Sequence, residues 1–179
     1  MKPLLDELEK PLRRLNLGAD GYPLSGWESV GMGGSNPVDF NVTPWPFEDG
    51  IAIAINASHV LEHLTKENGK RFLSECYRIL AVGGVLTLAV PDMDKFITAR
   101  ITGNFTPLNG YKWTDLNHLM GGDNTEKRDH WRHKYMYTFE SLAYAMSEAG
   151  FEQVGKRPFS GWIDNPAYTA ISLYMRGSK

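Results

Sequence analysis

The sequence of 179 residues lacks the features that mark several classes of protein. Its single cysteine, Cys76, excludes an intrachain disulfide and any zinc site built from several cysteines. No apolar run approaches the roughly 18 residues of a membrane span. The net charge of −2 provides no basic excess that would attract nucleic acid or a membrane surface. We therefore expect a cytoplasmic protein that has neither a membrane nor nucleic acid as its partner.

Strands alternate with helices along most of the sequence. The run at 51–57 has a β-branched residue at every second position and is typical of a buried strand, whereas 66–81 repeats apolar side chains at helical spacing. The predicted strands are 13–18, 27–32, 37–42, 51–57, 85–90 and two more after residue 150, and the predicted helices are 4–10, 59–64, 66–81, 93–103 and 138–151. This order predicts one α/β domain over 1–179, with a mostly parallel sheet and an antiparallel C-terminal strand.

Two parts of this domain depart from the regular alternation. Only about eight residues separate the first two predicted strands, whereas a helical crossover needs about a dozen or more. The N-terminal half is therefore abbreviated, with a first crossover that lacks a helix. Residues 104–137 are irregular and polar, and they hold three of the five histidines.

The stretch NASHVLEHLTKE (56–67) carries two histidines four residues apart, with a glutamate before the second. On a helix, His59, Glu62 and His63 would lie on one face, as in the H-x-x-E-H pattern of inverted zinc proteases. A metal site would need a third ligand, for which the chain offers His118, His130 and His133. The alternatives are that His63 is a partly exposed helix residue and that His59, after a buried strand, faces a ligand pocket.

Several segments of the chain resemble class I S-adenosylmethionine-dependent methyltransferases. The match is dense over about 48–92, in PWPFEDG, SHVLEHL and ECYRILAVGG. The flanking LNLGADGYPLSGWESVG and HKYMYTFESLAYAMSEAGF are similar to a subgroup of small methyltransferases. The resemblance implies a Rossmann-like, doubly wound sheet, S-adenosylmethionine as cofactor, and methyl transfer to a small-molecule or sugar-type acceptor.

The resemblance also implies where the cofactor would bind. The implied cofactor-binding residues lie at the ends of the first, third and fourth predicted strands or directly after them: Gly18, Ala19, Asp20, Gly21, Asn41, Val42, Ala57, Ser58 and His59. Two positions depart from the family pattern. Asp20 replaces a glycine of the first loop, and Gly31 replaces the acid that would bind the ribose hydroxyls. A methyltransferase-like protein without activity, serving as a binding or interaction module, is therefore the alternative function.

The irregular segment 104–137 would cap the pocket and meet the acceptor. A histidine there could serve as general base because its pKa lies near neutral pH, and the candidates are His130 and His133. Two other interpretations are open. The histidines could pack on aromatic side chains of a surface insertion, or Asp129 and two histidines could hold a divalent metal. A metal-dependent hydrolase is accordingly a third hypothesis for the function.

Overall fold

Six strands form one sheet in the computed structural model, which describes residues 11–19, 22–33, 37–108 and 132–179. The strands are β1 (Arg13–Leu17), β2 (Glu28–Val30), β3 (Ala52–Ser58), β4 (Leu80–Pro91), β5 (Glu152–Lys156) and β6 (Ser172–Ser178), and their spatial order is β2-β1-β3-β4-β6-β5. The first four are parallel to one another, whereas β6 is antiparallel to both of its neighbours. The predicted α/β sheet with an antiparallel finish is therefore confirmed.

Three α-helices follow or separate these strands within the described residues. They are α1 (Lys66–Ile79), α2 (Met93–Thr102) and α3 (Phe139–Glu148). Each begins at a side chain that accepts a hydrogen bond from the first turn, namely Thr65, Asp92 and Thr138. The predictions over 66–81, 93–103 and 138–151 are confirmed within a few residues, and the predicted helix 4–10 lies outside the described residues. No helix in the described part of the chain has both the length and the apolar composition that a bilayer crossing requires.

Two sequence predictions of secondary structure are wrong. Residues 37–42 form turns instead of a strand, because the Asp39 side chain accepts from the backbone N–H of Asn41 and the Asp39 carbonyl accepts from the N–H of Val42. Residues 59–64 contain only a short 3-10 helix, Leu61–His63. The backbone N–H of His59 still donates to the Ala89 carbonyl of β4, so the chain leaves the sheet only after this residue.

The main core lies between the sheet and the helices α1 and α3. Side chains of β4 that contact it alternate along the strand, as in Leu86 and Leu88, while α1 contributes Phe72 and Leu73; all four are fully buried. Complete burial of such a side chain stabilises the fold by about 1.5–3 kcal/mol. This core fixes the sheet on which the loops at the strand ends are built.

A polar network joins two segments that resemble the methyltransferase family. The Arg78 guanidinium donates to the Glu75 carboxylate, to the Trp45 and Phe47 carbonyls and to Asp49, while the backbone N–H of Trp45 donates to Glu75 at 2.7 Å. The hydrogen bonds from Arg78 lower the pKa of Glu75 below its usual range, although burial opposes this shift. The network attaches the loop before β3 to helix α1.

The connection between β1 and β2 is as short as the sequence predicts. Ten residues, 18–27, separate the two parallel strands, and their described part contains no α-helix. The strands still pair in register, with Leu17 beside Val30. Their carboxyl ends therefore lie side by side at one edge of the sheet, next to the end of β3.

Candidate cofactor site

A cavity of about 690 Å³ opens at the carboxyl ends of β1, β2 and β3. Its volume is within the range of about 300–1,000 Å³ that is usual for small-molecule sites. In a sheet of this type, ligands bind outside the carboxyl ends of the parallel strands. The location and the size of the cavity therefore suit a cofactor of moderate size.

The structure brings most of the described cofactor-site candidates together. Gly18, Ala19, Asn41, Ser58 and His59 line the cavity. Val42 and Ala57 do not, because Val42 is 62% exposed on the outer side of its turn and Ala57 is only 2% exposed within the core. Asp20 and Gly21 lie outside the described residues. The role of each residue in cofactor binding stays a prediction.

Gly18 makes the turn that starts the cavity wall after β1. Its φ of +69° lies in the left-handed region, which side chains disfavour, and its N–H donates to the Val30 carbonyl at 2.7 Å. A Cβ at this position would stand 2.3 Å from Cγ2 of Val60, which also lines the cavity. Both the backbone conformation and the close packing therefore require glycine here.

A ladder of polar side chains runs across the sheet from the floor of the cavity. Asn16, Asn56 and Thr87 stand opposite one another on β1, β3 and β4. Asn56 Nδ2 donates to Asn16 Oδ1 at 3.0 Å, and Thr87 Oγ1 donates to Asn56 Oδ1 at 2.9 Å. Asn16 and Asn56 line the cavity although each is at most 4% exposed. Sequence reasoning missed these residues, for which the available signal was an asparagine inside each apolar strand.

An acidic side chain stands on the cavity wall where the sequence predicted none. Gly31 lines the cavity at the end of β2, and Glu28 of that strand pairs instead with the Arg13 guanidinium. Asp39, however, also lines the cavity. Its Oδ1 accepts from Asn41 N at 2.9 Å and from Asn41 Nδ2 at 3.0 Å, and within the described residues Oδ2 accepts no hydrogen bond and could accept one from a ligand.

The connection between β5 and β6 forms a third wall, which sequence reasoning also missed. Ile163, Asn165 and Tyr168 line the cavity. They reach it because β6 is antiparallel to β4, so that the start of β6 lies beside the end of β4. A buried pair holds this connection: Arg157 donates from two guanidinium nitrogens to the two carboxylate oxygens of Asp164, each at 2.6 Å.

His59 occupies the corner between β3 and the following turn, with a positive φ of 55°. Its Nε2 lies 2.8 Å from Ser172 Oγ, its Nδ1 lies 3.0 Å from Glu62 Oε1, and its ring packs on Tyr168 at 4.3 Å between centroids. Burial raises the pKa of Glu62, but the contact with His59 and the nearby imidazoles outweigh it and lower this pKa overall. Both ring nitrogens of His59 thus face protein groups.

The catalytic candidate His133 lies beside the cavity wall. Its half-buried ring contacts the ring of His63, with 5.1 Å between centroids, and His63 lines the cavity whereas His133 does not. Ligand atoms of Glu62, His63 and His133 all lie within 4.8 Å of one another and could hold a metal ion. The other sequence candidates, namely His118, Asp129 and His130, lie outside the described residues.

Comparison with known proteins agrees with this architecture. The sequence model of a family described as "Methyltransferase domain" matches residues 28–88. No curated protein is significantly similar to the sequence. Among solved structures, PigF with S-adenosylhomocysteine superimposes with a TM-score of 0.56 at 16% identity, over 94% of this chain and 56% of PigF.

Two further solved structures have similar scores. An S-adenosylmethionine-dependent methyltransferase from Thermotoga maritima gives a TM-score of 0.56 at 16% identity, over 96% of this chain and 84% of that protein. One from Archaeoglobus fulgidus gives a TM-score of 0.52 at 15% identity, over 94% of this chain and 86% of that protein. The chain spans about half the length of other similar structures, such as PigF at 56% and the CurJ carbon methyltransferase at 48%. The chain therefore has the fold of class I S-adenosylmethionine-dependent methyltransferases, and the family match over 28–88 confirms the resemblance found in its sequence.

Proposed function

We propose that the protein is an S-adenosylmethionine-dependent methyltransferase that binds its cofactor in the cavity and acts on a small-molecule or sugar-type acceptor. The observation that carries this proposal is the cavity itself. It lies at the carboxyl ends of β1, β2 and β3, and it begins at a left-handed glycine turn directly after β1. That turn lets backbone approach a ligand closely, which side chains at the same position would prevent.

In this proposal the two ends of the cofactor meet different walls. The methionine end lies near Gly18, Ala19 and His59, and the adenosine end lies near Asp39 and Asn41. Oδ2 of Asp39 accepts from a ribose hydroxyl, which compensates for the missing acid at Gly31. A charge-assisted hydrogen bond of this kind contributes about 1.5–3 kcal/mol.

The bound cofactor supplies a methyl group that its sulfonium already activates, so positioning of the acceptor accounts for most of the required catalysis. His59 acts as a positioning residue, because Glu62 and Ser172 hold its two ring nitrogens. Tyr168 lines the cavity beside it and offers an aromatic face to a cation. His130 and His133 stay candidate bases for the acceptor proton.

The test is calorimetric titration with S-adenosylmethionine and S-adenosylhomocysteine, for the native protein and for Asp39→Asn. Asparagine keeps the Oδ1 acceptor of the turn but removes the charge, so we expect affinity to fall roughly tenfold to a hundredfold without loss of folding. The matched control is Asp94→Asn on α2, outside the cavity lining. An equal loss in both variants would refute the role of Asp39, and absence of binding up to millimolar ligand would refute the proposed function.

The second candidate function is a methyltransferase-like binding module without activity. The observation that favours it is Gly31, which lines the cavity where the resemblance implies an acid. The double change Asp20→Gly with Gly31→Asp restores the family pattern and should strengthen cofactor binding. If the native protein binds no cofactor and the double variant does, the module is the better description; if neither variant nor native protein binds, the altered loops are not what limits binding.

A further inference from the structure

We propose that Glu62, His63 and His133 form a binding site for one divalent transition-metal ion of the zinc type, beside the cavity wall. The three ligand atoms lie within 4.8 Å of one another. Tetrahedral zinc, with bonds of about 2.0–2.1 Å, separates its ligand atoms by roughly 3.4 Å. To enclose an ion, the ligand atoms would have to approach one another by at most about 1.4 Å. This site does not depend on the proposed methyltransferase activity, and with an ion bound at His133 the candidate base for the acceptor proton would be His130.

The backbone holds the three residues together independently of any ion. The Glu62 carbonyl accepts from Lys134 N at 2.7 Å and from Tyr135 N at 3.2 Å. The segment at 132–135 is thereby fixed against the 3-10 helix Leu61–His63, which places the ring of His133 5.1 Å from that of His63. The site is thus built from two segments that are about 70 residues apart in sequence but hydrogen-bonded to each other.

The hydrogen bond of His63 indicates which of its ring nitrogens would bind a metal. Its Nδ1 lies 3.2 Å from the Arg132 carbonyl oxygen, which can only accept a hydrogen bond. Nδ1 therefore donates to this carbonyl, and in a neutral ring Nε2 would have the lone pair that binds a metal. A backbone carbonyl that orients a ligating histidine in this way is a usual partner in metal sites.

Glu62 supplies the negative charge, and its side chain is the observation that points to a cation. Its carboxylate is fully buried, and neither oxygen has a well-aligned hydrogen-bond donor within the described residues, although Oε1 lies 3.0 Å from His59 Nδ1. A buried carboxylate is costly without compensation. An ion bound at Oε2 would provide it, while His59 orients the carboxylate through Oε1.

The donor set selects the class of metal. Two imidazoles and one carboxylate suit zinc and the neighbouring transition metals, whereas magnesium and calcium prefer oxygen ligands throughout. Three protein ligands leave a further coordination position. His63 belongs both to the metal group and to the cavity wall, so an ion bound there would lie next to the cavity.

The first measurement is the metal content of the purified protein and its titration, after chelation, with Zn²⁺ alone. We expect one equivalent of tightly bound zinc and a rise of the unfolding temperature on binding. Co²⁺ in the same site should give the intense visible bands of a tetrahedral complex. Less than stoichiometric binding, together with an unfolding temperature that zinc does not change, would overturn the proposal.

The variants locate the ion. Glu62→Gln and His133→Gln should each weaken zinc binding by more than the roughly 10- to 100-fold that loss of a supporting residue causes. The control is Glu67→Gln, the same chemical change on an exposed side chain of α1, which should leave binding unchanged. If the variant of the buried Glu62 does not fold, His63→Gln takes its place in the test and should weaken zinc binding in the same way. Retention of native zinc affinity in folded His63→Gln and His133→Gln would place the ion elsewhere and refute the site.

Discussion

Replacement of Gly18 by alanine separates two reasons for a glycine at the start of the cavity. The left-handed φ of +69° costs a residue with a Cβ about 1–2 kcal/mol. Alanine would also place its Cβ 2.3 Å from Val60 Cγ2, which is far inside normal contact. Overpacking of this kind costs about 1–3 kcal/mol. We therefore expect Gly18→Ala to lower the free energy of unfolding by about 2–5 kcal/mol, the sum of these two costs.

Gly103 offers a matched control for the backbone term. Its φ is +67°, and a Cβ there meets nothing within 4 Å. Gly103→Ala should therefore cost only the conformational part, about 1–2 kcal/mol. Urea denaturation at neutral pH measures both variants. Equal losses in the two variants would show that Val60 yields without cost and would refute the packing argument.

A double-mutant cycle with Val60→Ala isolates the contact. Removal of Val60 Cγ2 eliminates the clash but leaves the φ of residue 18 unchanged. The double variant should then be about 1–3 kcal/mol more stable than the sum of the single changes predicts. Additive losses would mean that the two positions do not interact. Titration of the same four proteins with S-adenosylhomocysteine tests whether a displaced Val60 also weakens ligand binding, as its place on the cavity wall predicts.

Three further changes test other parts of the structure. The folded-state pKa of Glu75 lies below its unfolded value of about 4.5, so its contribution to stability is present above that pH and is lost as pH falls through the folded pKa. Glu75→Gln should therefore lower the free energy of unfolding by about 1–3 kcal/mol at pH 7, as measured by urea denaturation. The difference from the native protein should shrink in acid. Asp164→Ala leaves the buried Arg157 without its carboxylate and should cost about 3–5 kcal/mol by the same assay, whereas a loss below 1 kcal/mol would contradict a buried pair. A Cβ at Gly69 would stand 2.6 Å from the Tyr137 hydroxyl, so Gly69→Ala should lower the thermal unfolding midpoint of the native protein. In the Tyr137→Phe background, which lacks this hydroxyl, the same change should raise the midpoint because alanine favours the helix over glycine by about 1 kcal/mol. A change of the same sign in both backgrounds would contradict the clash.

Local signals in the sequence were sufficient for most of the framework. Helix α3 begins at Thr138, whose side chain and that of Ser141 cap each other's backbone, and this pattern is readable from the residues alone. The apolar run that became β3 is similarly unambiguous because it is buried between two parallel neighbours. Such elements depend on interactions within a few residues or on simple burial.

The sequence could not predict parts of the site that depend on contacts between distant segments. The alternation of Val38, Phe40 and Val42 indicated a strand, but the turn bonds of Asp39 prevailed, and the same turn placed an unexpected carboxylate on the cavity wall. Tyr168 reached the cavity because of the antiparallel direction of β6, which requires the complete topology. The pairing of His133 with His63 depends on hydrogen bonds across about 70 residues.

The most direct test of the central claim is a crystal structure of the protein with S-adenosylhomocysteine. We predict that the ligand occupies the cavity at the carboxyl ends of β1, β2 and β3, with its amino-acid end near Gly18 and its ribose beside Asp39. A ligand bound at another surface, or crystals that stay free of ligand at millimolar concentration, would contradict the account.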